Sequence, residues 1–468
     1  MSDEILRRTL LTRLAGGFGT LAFSAFATTD ALAQAAVKAT NKPVNPLAPK
    51  APHFPAKAKH VIWLCMRGAP SHVDTFDYKP ELEERNGMPG PKRLGRGAKL
   101  LKSKWAFEPS GDSGLWISSL FPELRKHADK MCLIRSMHTD QPAHAQAFVQ
   151  MHTGSFQFVR PSVGAWTLYG LGTENQNLPG FLSIKPPAGN GGAQNYGSAF
   201  LPAIYQGTPI GKGTQPIASS KADYIASPLL KPASQRQQLD FIQKLHAEAL
   251  VTTPHLEQVN AAITSYELAF RMQADLPTVM NLDSEAVAVQ SSYGIGTTIS
   301  DDFGRQCLMA RRAVEAGVRF VEVTPNVNWD QHANLESDLP RNCAAVDKPI
   351  AGLLADLASR GLLDSTLVVW AGEFGRTPTA QNGDGRDHNN KGFTVWMAGG
   401  GVRGGLSFGG TDPLGFEAVD HPVHVHDLHA TVLQLLGLDH TRLTYRYAGR
   451  DFRLTDVKGN VVKDVIAS

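Results

Sequence analysis

The stretch TLVVWAGEFGR, residues 366–376, sets the pattern on which the fold depends. Its first six residues form an apolar run of strand length, rich in β-branched and aromatic side chains, and Gly372 ends the run. Two charged residues, Glu373 and Arg376, follow at once. Functional loops of α/β sheets lie at the carboxyl ends of their strands. The stretch therefore predicts a buried strand whose end carries a functional loop.

Similar apolar runs recur along the chain and alternate with amphipathic helical patterns. The predicted strands are 61–66, 131–135, 181–184, 318–324, 366–371 and 393–398. The predicted helices between them are 117–129, 143–152, 302–316 and 345–360. Strands that alternate with helices are typical of a mostly parallel sheet that helices cover on both faces. We therefore expect an α/β fold.

The chain has 468 residues, which is enough for two or three domains, but one large α/β domain also reaches this length. Residues 185–230 are rich in Gly, Pro, Ser and Ala, and residues 234–275 return to a helical composition. We interpret residues 185–300 as a loop-rich and helical insertion in one α/β domain of residues 59–468. The tail, residues 441–466, has the pattern of a small β-hairpin packed against the sheet.

The N-terminus carries the features of an export signal. Arg7 and Arg8 precede an apolar stretch rich in Gly and Ala, and Ala31–Ala33 offers small residues for a signal peptidase. We predict a twin-arginine signal peptide over residues 1–33, a Pro-rich linker over 34–58, and a periplasmic or secreted protein. The alternative is an N-terminal helix of the mature fold. The apolar stretch is too short and too weakly hydrophobic to predict a stable membrane span.

The composition narrows the function classes. Hydrophobic residues make up 42% of the chain and charged residues 19%, which is typical of a soluble globular protein. The formal net charge of +3 is small for this length, so we expect no nucleic-acid partner. Two of the four cysteines, Cys65 and Cys132, lie in apolar runs, and we interpret them as buried core thiols. The sequence alone does not pair any of the four in a disulfide.

Acid and histidine residues follow several of the predicted strands. Asp330 and His332 come after the fourth strand, Glu373 ends the fifth, and His388 lies in the glycine-rich loop that leads to the sixth. Carboxylate and imidazole groups in such loops can hold a divalent metal. Arg376 offers a planar fork for a phosphate or sulfate oxygen. Two alternatives stay open, namely a surface turn at Asp330 and a structural ion pair between Glu373 and Arg376.

Two further groups of polar residues are candidates. Asp74 lies in the polar segment after the first predicted strand and is a plausible ligand, with His72 a weaker one. Four histidines lie within residues 421–429, next to a predicted helix over 427–438. They could form a metal cluster, but we favour the start of a helix or the lining of a pocket.

Five segments form a set that is specific in combination: Ser71–Asp77, Gln141–His144, Gly372–Pro378, Gly385–Asn389 and Asp427–Thr431. Together they resemble the alkaline phosphatase and sulfatase superfamily, and more narrowly its bacterial branch known as domain of unknown function 1501. The resemblance covers roughly residues 58–455. It implies a large α/β sandwich with a mainly parallel central sheet and with metals at the carboxyl ends of the strands.

The resemblance also implies a set of metal ligands. Asp74 would match the early Asp of the superfamily, Asp330 and His332 the first later pair, Glu373 the Asp of the second pair, and His388 the late His. These oxygen and nitrogen ligands suit zinc, manganese or calcium, and the sequence does not select among the three metals.

Three departures from the superfamily pattern affect the expected chemistry. Phe374 stands where many members have a second-pair ligand, and Glu373 is longer than the usual Asp. His144 stands at the position of the Ser, Thr or formylglycine nucleophile, so formylglycine chemistry is excluded there. His144 could ligate a metal or act as a general base, which we favour, or it could attack the ester directly.

These features predict an exported metal-dependent hydrolase of phosphate or sulfate esters, with an anionic small molecule or polysaccharide as substrate. His144 would lie at the reacting centre, and Arg376 would bind the anionic group. The alternative is a non-catalytic secreted binding or surface-assembly protein on the same fold. Clustering of the named residues around one cavity would favour the enzyme. An arginine that pairs with Asp330 or Glu373 and fills the cavity would favour the binding protein.

Overall fold

The computed structural model describes residues 45–91, 98–213, 215–220, 230–252 and 257–468, without the side chains of residues 246–252 and 257–263. The predicted signal peptide and residues 34–44 of the predicted linker therefore lie outside the described residues. Within the described ranges, no helix is long and apolar enough to cross a membrane.

Strands and helices alternate through the described chain. The strands are β1 His60–Cys65, β2 Phe107–Ser110, β3 Leu115–Ser118, β4 Met131–His138, β5 Phe181–Ile184, β6 Thr208–Ile210, β7 Phe320–Val323, β8 Thr366–Ala371, β9 Gly375–Arg376, β10 His388–Asn389, β11 Phe393–Ala398, β12 Leu406–Phe408, β13 Gly410–Thr411, β14 Ala418–Asp420, β15 Val423–His424, β16 Tyr445–Tyr447 and β17 Arg450–Phe452. The α-helices are α1 His72–Thr75, α2 Pro80–Glu84, α3 His144–Thr153, α4 Val163–Leu171, α5 Pro232–Thr252, α6 Glu257–Met280, α7 Val287–Ser292, α8 Asp301–Glu315, α9 Leu335–Ser359 and α10 Val425–Leu435.

A nine-stranded sheet forms the centre of the structure. Its strand order is β12-β4-β11-β8-β1-β7-β5-β6, and β15 also pairs with β4. The pairs of β1 with β7 and β8, and of β5 with β6 and β7, are parallel. Among the strands of this sheet in the described ranges, only β11 runs antiparallel to its neighbours, β4 and β8. The predicted α/β fold with a mainly parallel sheet is therefore confirmed.

Both faces of the sheet are covered. Every residue of β5, β7, β8 and β11 is buried, and successive side chains of a strand point to opposite faces. Strands buried on both faces are characteristic of α/β proteins, in which helices lie against the sheet. Here α4 packs against β5 and β7, and α8 packs against β1 and β7.

The predicted core strands all form within a few residues of their expected bounds, but one predicted helix is wrong. Residues 117–129 contain the end of β3 and most of a 3-10 helix, Leu124–Lys130. Leu115 and Ile117 are buried while Trp116 between them is exposed, which is the period of a strand. Local alternation therefore outweighs the helical spacing of the apolar residues that follow.

The predicted insertion contributes to the main sheet. Its strand β6 pairs with β5 in parallel and forms one edge. In the tail, β16 and β17 form the predicted hairpin. All four cysteines are buried and free, which confirms the interpretation of Cys65 and Cys132 as core thiols.

Helix α3 is held at its C-terminal end by histidines of α10. His426 Nε2 donates to the Gly154 carbonyl at 2.7 Å, and His429 Nε2 donates to the Met151 carbonyl at 2.8 Å. His424 caps the start of α10. The histidine-rich stretch therefore forms the start of a helix, as favoured from the sequence, and satisfies the last carbonyls of α3.

We expect acid to destabilise the protein through His429. Burial lowers the pKa of His429 to about 3, below its ordinary value of 6.5. The unfolded state therefore binds more protons between these values, and the free energy of unfolding should fall as the pH drops from about 6.5 towards 3. Denaturant unfolding between pH 4.5 and 7.5 should show a weaker pH dependence for His429→Gln than for the wild type. His421→Gln, at a histidine whose side chain is 67% exposed, is the control and should leave the dependence unchanged.

Candidate metal centre

The carboxylate of Asp330, in the loop after β7, lies at the centre of a group of basic side chains. Its Oδ1 lies 3.0 Å from His144 Nε2, 3.0 Å from His332 Nε2 and 3.5 Å from His388 Nε2. Arg376 Nη2 donates to the same oxygen at 2.7 Å. The three imidazoles come from the start of α3, the β7 loop and β10. One oxygen thus gathers groups from distant parts of the chain.

Two of these histidines are oriented by neutral acceptors. His388 Nδ1 lies 2.6 Å from the Pro142 carbonyl oxygen, which can only accept, so Nδ1 carries the hydrogen. His332 Nδ1 lies 2.5 Å from Gln381 Oε1, an amide oxygen that also only accepts, so this Nδ1 carries the hydrogen as well. In the neutral form of each ring, the lone pair is therefore on Nε2, which points into the group.

A buried carboxylate orients the third histidine. His144 Nδ1 lies 2.6 Å from Glu373 Oε1, and Glu373 is fully buried at the end of β8. The carboxylate accepts the Nδ1 hydrogen, which again leaves Nε2 directed at Asp330. Metal-binding histidines commonly donate their second ring N–H to a carboxylate or carbonyl. All three imidazoles have this arrangement.

The spacing of the four donor atoms fits a bound cation. His144, Asp330, His332 and His388 offer three nitrogens and one oxygen, all within 4.8 Å of one another. Zinc–nitrogen bonds of about 2.0–2.1 Å imply a tetrahedral edge of roughly 3.3 Å. The Nε2 atoms of His332 and His388 lie 2.9 Å apart, and the contacts to Asp330 span 3.0–3.5 Å. Two lone pairs this close repel each other unless a proton or a metal lies between them.

The charges of the group are strongly coupled. Burial opposes the ionised form of Asp330, but hydrogen bonds from His144, His388 and Arg376 outweigh it and hold the pKa of Asp330 far below its usual range. Burial also lowers the pKa of His144, but its hydrogen bonds to Asp330 and Glu373 dominate and raise it to about 9. Without a metal, His144 is therefore an imidazolium between two carboxylates at neutral pH. A metal would have to displace this proton.

Two glycines allow the backbone to pack closely around the group of four. A Cβ on Gly385 would lie 2.0 Å from the carbonyl carbon and oxygen of His332, and a Cβ on Gly68 would lie 2.8 Å from the Asp330 backbone nitrogen. Only glycine fits at these distances. The loops after β1, β7 and β9 therefore approach each other as closely as backbones allow.

Asp74, predicted as a ligand, lies outside the group of four. Arg386 donates to it through Nε at 2.6 Å and Nη2 at 3.1 Å, and Ser71 Oγ donates at 2.5 Å. Asp74 and Arg386 are both fully buried. The carboxylate is thus engaged in a buried bidentate ion pair, which satisfies its charge without a metal.

Glu373, also predicted as a ligand, lies outside the group as well. It accepts the backbone N–H of Gly68 at 3.0 and 3.2 Å, in addition to the hydrogen of His144. The imidazole of His144 thus lies between Glu373 and Asp330. The structure brings together Asp330, His332 and His388 from the predicted ligands, together with His144.

Arg376 does not offer the free fork that was expected for an anion. It is 1% exposed, and it donates to the carbonyl oxygens of Ala69 at 3.0 Å, Gly68 at 2.5 Å and Arg386 at 3.3 Å, besides Asp330. The ion pair that forms is Asp330–Arg376, not the Glu373–Arg376 pair considered from the sequence. Arg376 therefore joins the loops of the site to one another.

Sequence reasoning missed the partners that orient the imidazoles. Gln381 and the Pro142 carbonyl were not singled out, because a neutral amide and a backbone oxygen leave no pattern in a sequence. Arg386 appeared only as part of a motif. Its pairing with Asp74, 312 positions earlier in the chain, leaves no local sequence pattern either.

The group of four opens to solvent. The side chains of His144, His388, Asp330 and His332 are 16%, 22%, 30% and 34% exposed. The first turn of α3 is exposed at Ala145 and Gln146. The four side chains are thus partly exposed next to the exposed first turn of α3, although His144 Nε2 itself is buried.

Comparisons with known proteins bear on family and fold. A family model described as "Protein of unknown function (DUF1501)" matches residues 58–466. No curated protein matches the sequence significantly. Similar solved structures include Ps i-CgsB in complex with k-i-k-neocarrahexaose, with 12% identity over 81% of this chain and 72% of that chain and a TM-score of 0.37.

Two other solved structures resemble the chain to a similar degree. The PsFucS1 sulfatase from Pseudoalteromonas sp. is 12% identical over 81% of this chain and 68% of its own, with a TM-score of 0.34. The alkaline phosphatase from the Antarctic bacterium TAB5 is 11% identical over 81% of this chain and 98% of its own, with a TM-score of 0.32. At this level of similarity these proteins carry no weight for the function of the chain.

We expect Asp74 to stabilise the fold without holding a metal. Asp74→Asn should lower the free energy of unfolding by about 3–5 kcal/mol, because it leaves the Arg386 guanidinium buried and unpaired. Glu108→Gln is the control, since Glu108 pairs with Arg125 at a surface where both side chains are partly exposed, and it should cost less than about 1 kcal/mol. Denaturant unfolding measures both. An Asp74→Asn protein of normal stability that binds metal less tightly would instead make Asp74 a ligand.

Proposed function

Because the chain belongs to the DUF1501 family of proteins of unknown function, we propose its activity from its own site: a metal-dependent hydrolase of phosphate or sulfate esters. One observation carries the proposal. Three imidazole Nε2 atoms and one carboxylate oxygen converge, and an acceptor holds each Nδ1 in the tautomer that metal binding needs.

We assign the metal to His144, Asp330, His332 and His388. A set of three imidazoles and one carboxylate suits zinc better than calcium, which takes six to eight oxygen ligands, and manganese prefers oxygen donors. When bound, the metal would polarise an ester oxygen and stabilise negative charge on the transferred group.

The N-terminus of α3 takes over the role that the sequence suggested for Arg376. Within the described residues, the backbone N–H groups of residues 144–146 have no hydrogen-bond acceptor, whereas Ala147 donates to the Ala143 carbonyl. Free N–H groups and the helix dipole favour an anion at this end. The phosphate or sulfate group of a substrate would therefore lie against the first turn of α3, beside the donors.

Water is the nucleophile that this site can use. His144 occupies the start of α3, and its Nε2 is directed at Asp330 rather than held free. In the reaction, the oxygen of water bonds to phosphorus or sulfur, the bond to the alcohol oxygen breaks, and the alcohol leaves with a proton. The anionic small molecule or polysaccharide expected from the sequence supplies the ester.

A specific observation also favours the second candidate, a non-catalytic binding or surface-assembly protein. Four protein donors form a closed set of the kind found in structural zinc sites, whereas catalytic sites usually keep an open position. In addition, Arg376 pairs with Asp330 beside the group. In this alternative the group of four would hold a structural metal or keep its ion pair with Arg376, and no ester would be cleaved.

Metal analysis together with an ester assay separates the two candidates. We expect the exported protein to contain about one divalent cation per chain, detected by mass spectrometry of the elements, and to hydrolyse an aryl phosphate or an aryl sulfate until a chelator removes the metal. His332→Ala should lose both metal and turnover, while the control His421→Ala should lose neither. Metal without turnover would support the binding protein, and a metal-free wild type that ignores added zinc would contradict the hydrolase and leave the non-catalytic protein.

We also propose that the chain is exported by the twin-arginine pathway to the periplasm or beyond. The support is the sequence of residues 1–33, with Arg7 and Arg8 before an apolar stretch. Replacing both arginines by lysine should leave the protein in the cytoplasm, as measured by cell fractionation and immunoblotting. Arg13→Lys is the matched control and should be exported normally. Export of the double variant at the wild-type level would contradict the proposal.

A further inference from the structure

We propose that Glu373 is a positioning residue that acts through His144, rather than a metal ligand. The inference rests on the proposed metal site and deepens it. The Glu373 carboxylate, at the end of β8, holds the His144 imidazole in the orientation that metal binding needs. It also places a negative charge next to His144 Nδ1.

The first support is the geometry of the contact. Glu373 Oε1 lies 2.6 Å from His144 Nδ1, while His144 Nε2 lies 3.0 Å from Asp330 Oδ1. The imidazole therefore spans the distance between the two carboxylates. Glu373 can reach a cation at the group of four only through this ring.

The second support is that the carboxylate is itself held in place. Both oxygens of Glu373 accept the Gly68 N–H, at 3.0 and 3.2 Å. Gly68 packs against the backbone of Asp330 too closely for any side chain, and its carbonyl accepts from Arg376. Glu373 is fully buried and cannot exchange these partners for water. Turning it into a ligand would leave the Gly68 N–H and the His144 Nδ1 hydrogen without acceptors, which is unfavourable for buried polar groups.

The third support is a difference among the three imidazoles. His332 and His388 donate to a side-chain amide oxygen and to a backbone carbonyl, which are neutral, whereas His144 donates to a carboxylate. A charged acceptor makes the stronger hydrogen bond and the more basic imidazole. Glu373 therefore makes His144 the strongest nitrogen donor of the set.

Cobalt binding to the full-length protein tests the assignment. We expect Glu373→Gln to weaken Co²⁺ binding by about 10–100-fold, measured by competition with a chelator, because the charge behind His144 is lost. The visible absorption of the saturated protein should keep its band positions and intensity, because the number of ligands is unchanged. Gln381→Ala, which removes the neutral acceptor of His332, is the matched control and should weaken binding less.

Other outcomes would overturn the assignment. A change in the cobalt spectrum of Glu373→Gln towards a lower or higher coordination number would make Glu373 a ligand. Unchanged cobalt affinity, with a loss of stability in the metal-free protein, would make it purely structural. Failure of the hydrolase proposal is distinguishable, since a wild type that binds cobalt but cleaves no ester leaves the role of Glu373 intact. If Glu373→Gln does not fold, Glu373→Asp is the second variant. Its carboxylate is shorter and holds His144 less well, so the variant protein should also bind cobalt more weakly than the wild type.

Discussion

The site depends on one atom, Oδ1 of Asp330. Three imidazole nitrogens and a guanidinium lie around it, and none of these cationic or polar groups could lie so close together without a negative charge between them. The oxygen therefore connects three segments: the start of α3, the loop after β7, and the segment between β8 and β11 that contains β9 and β10. Partial burial opposes the ionised form of this carboxylate, and the surrounding donors outweigh that effect and keep it ionised.

Two buried arginines neutralise acids in and beside the site. Arg376 connects Asp330 to the backbone of the β1 loop, and Arg386 neutralises Asp74. Guanidinium groups suit this role because they offer several donors in one plane and stay charged when buried. The three acids therefore have different roles. Asp330 is one of the four donors, Glu373 accepts a hydrogen bond from His144, and Asp74 pairs with Arg386.

Much of the fold could be predicted from the sequence, because apolar runs such as residues 366–371 have the length, the β-branched residues and the flanking glycine that are typical of strands buried on both faces. Asp330, His332 and His388 could be placed for a related reason, since the ends of parallel strands meet at one edge. The roles of Asp74, Glu373 and Arg376 could not be predicted from the sequence. Whether an acid binds a metal, an arginine or an imidazole depends on distances of a few tenths of an ångström that no local pattern encodes.

The contacts of the site also have a consequence for folding. Glu373 and His144 are 229 positions apart in the chain, and His388 and Pro142 are 246 apart. Closing loops of this length has an entropic cost that a few hydrogen bonds cannot offset before the sheet exists. The donors are therefore scattered in the unfolded chain and come together only late. A ligand that needs all of them would recognise the finished fold, and its concentration would shift the folding equilibrium by mass action.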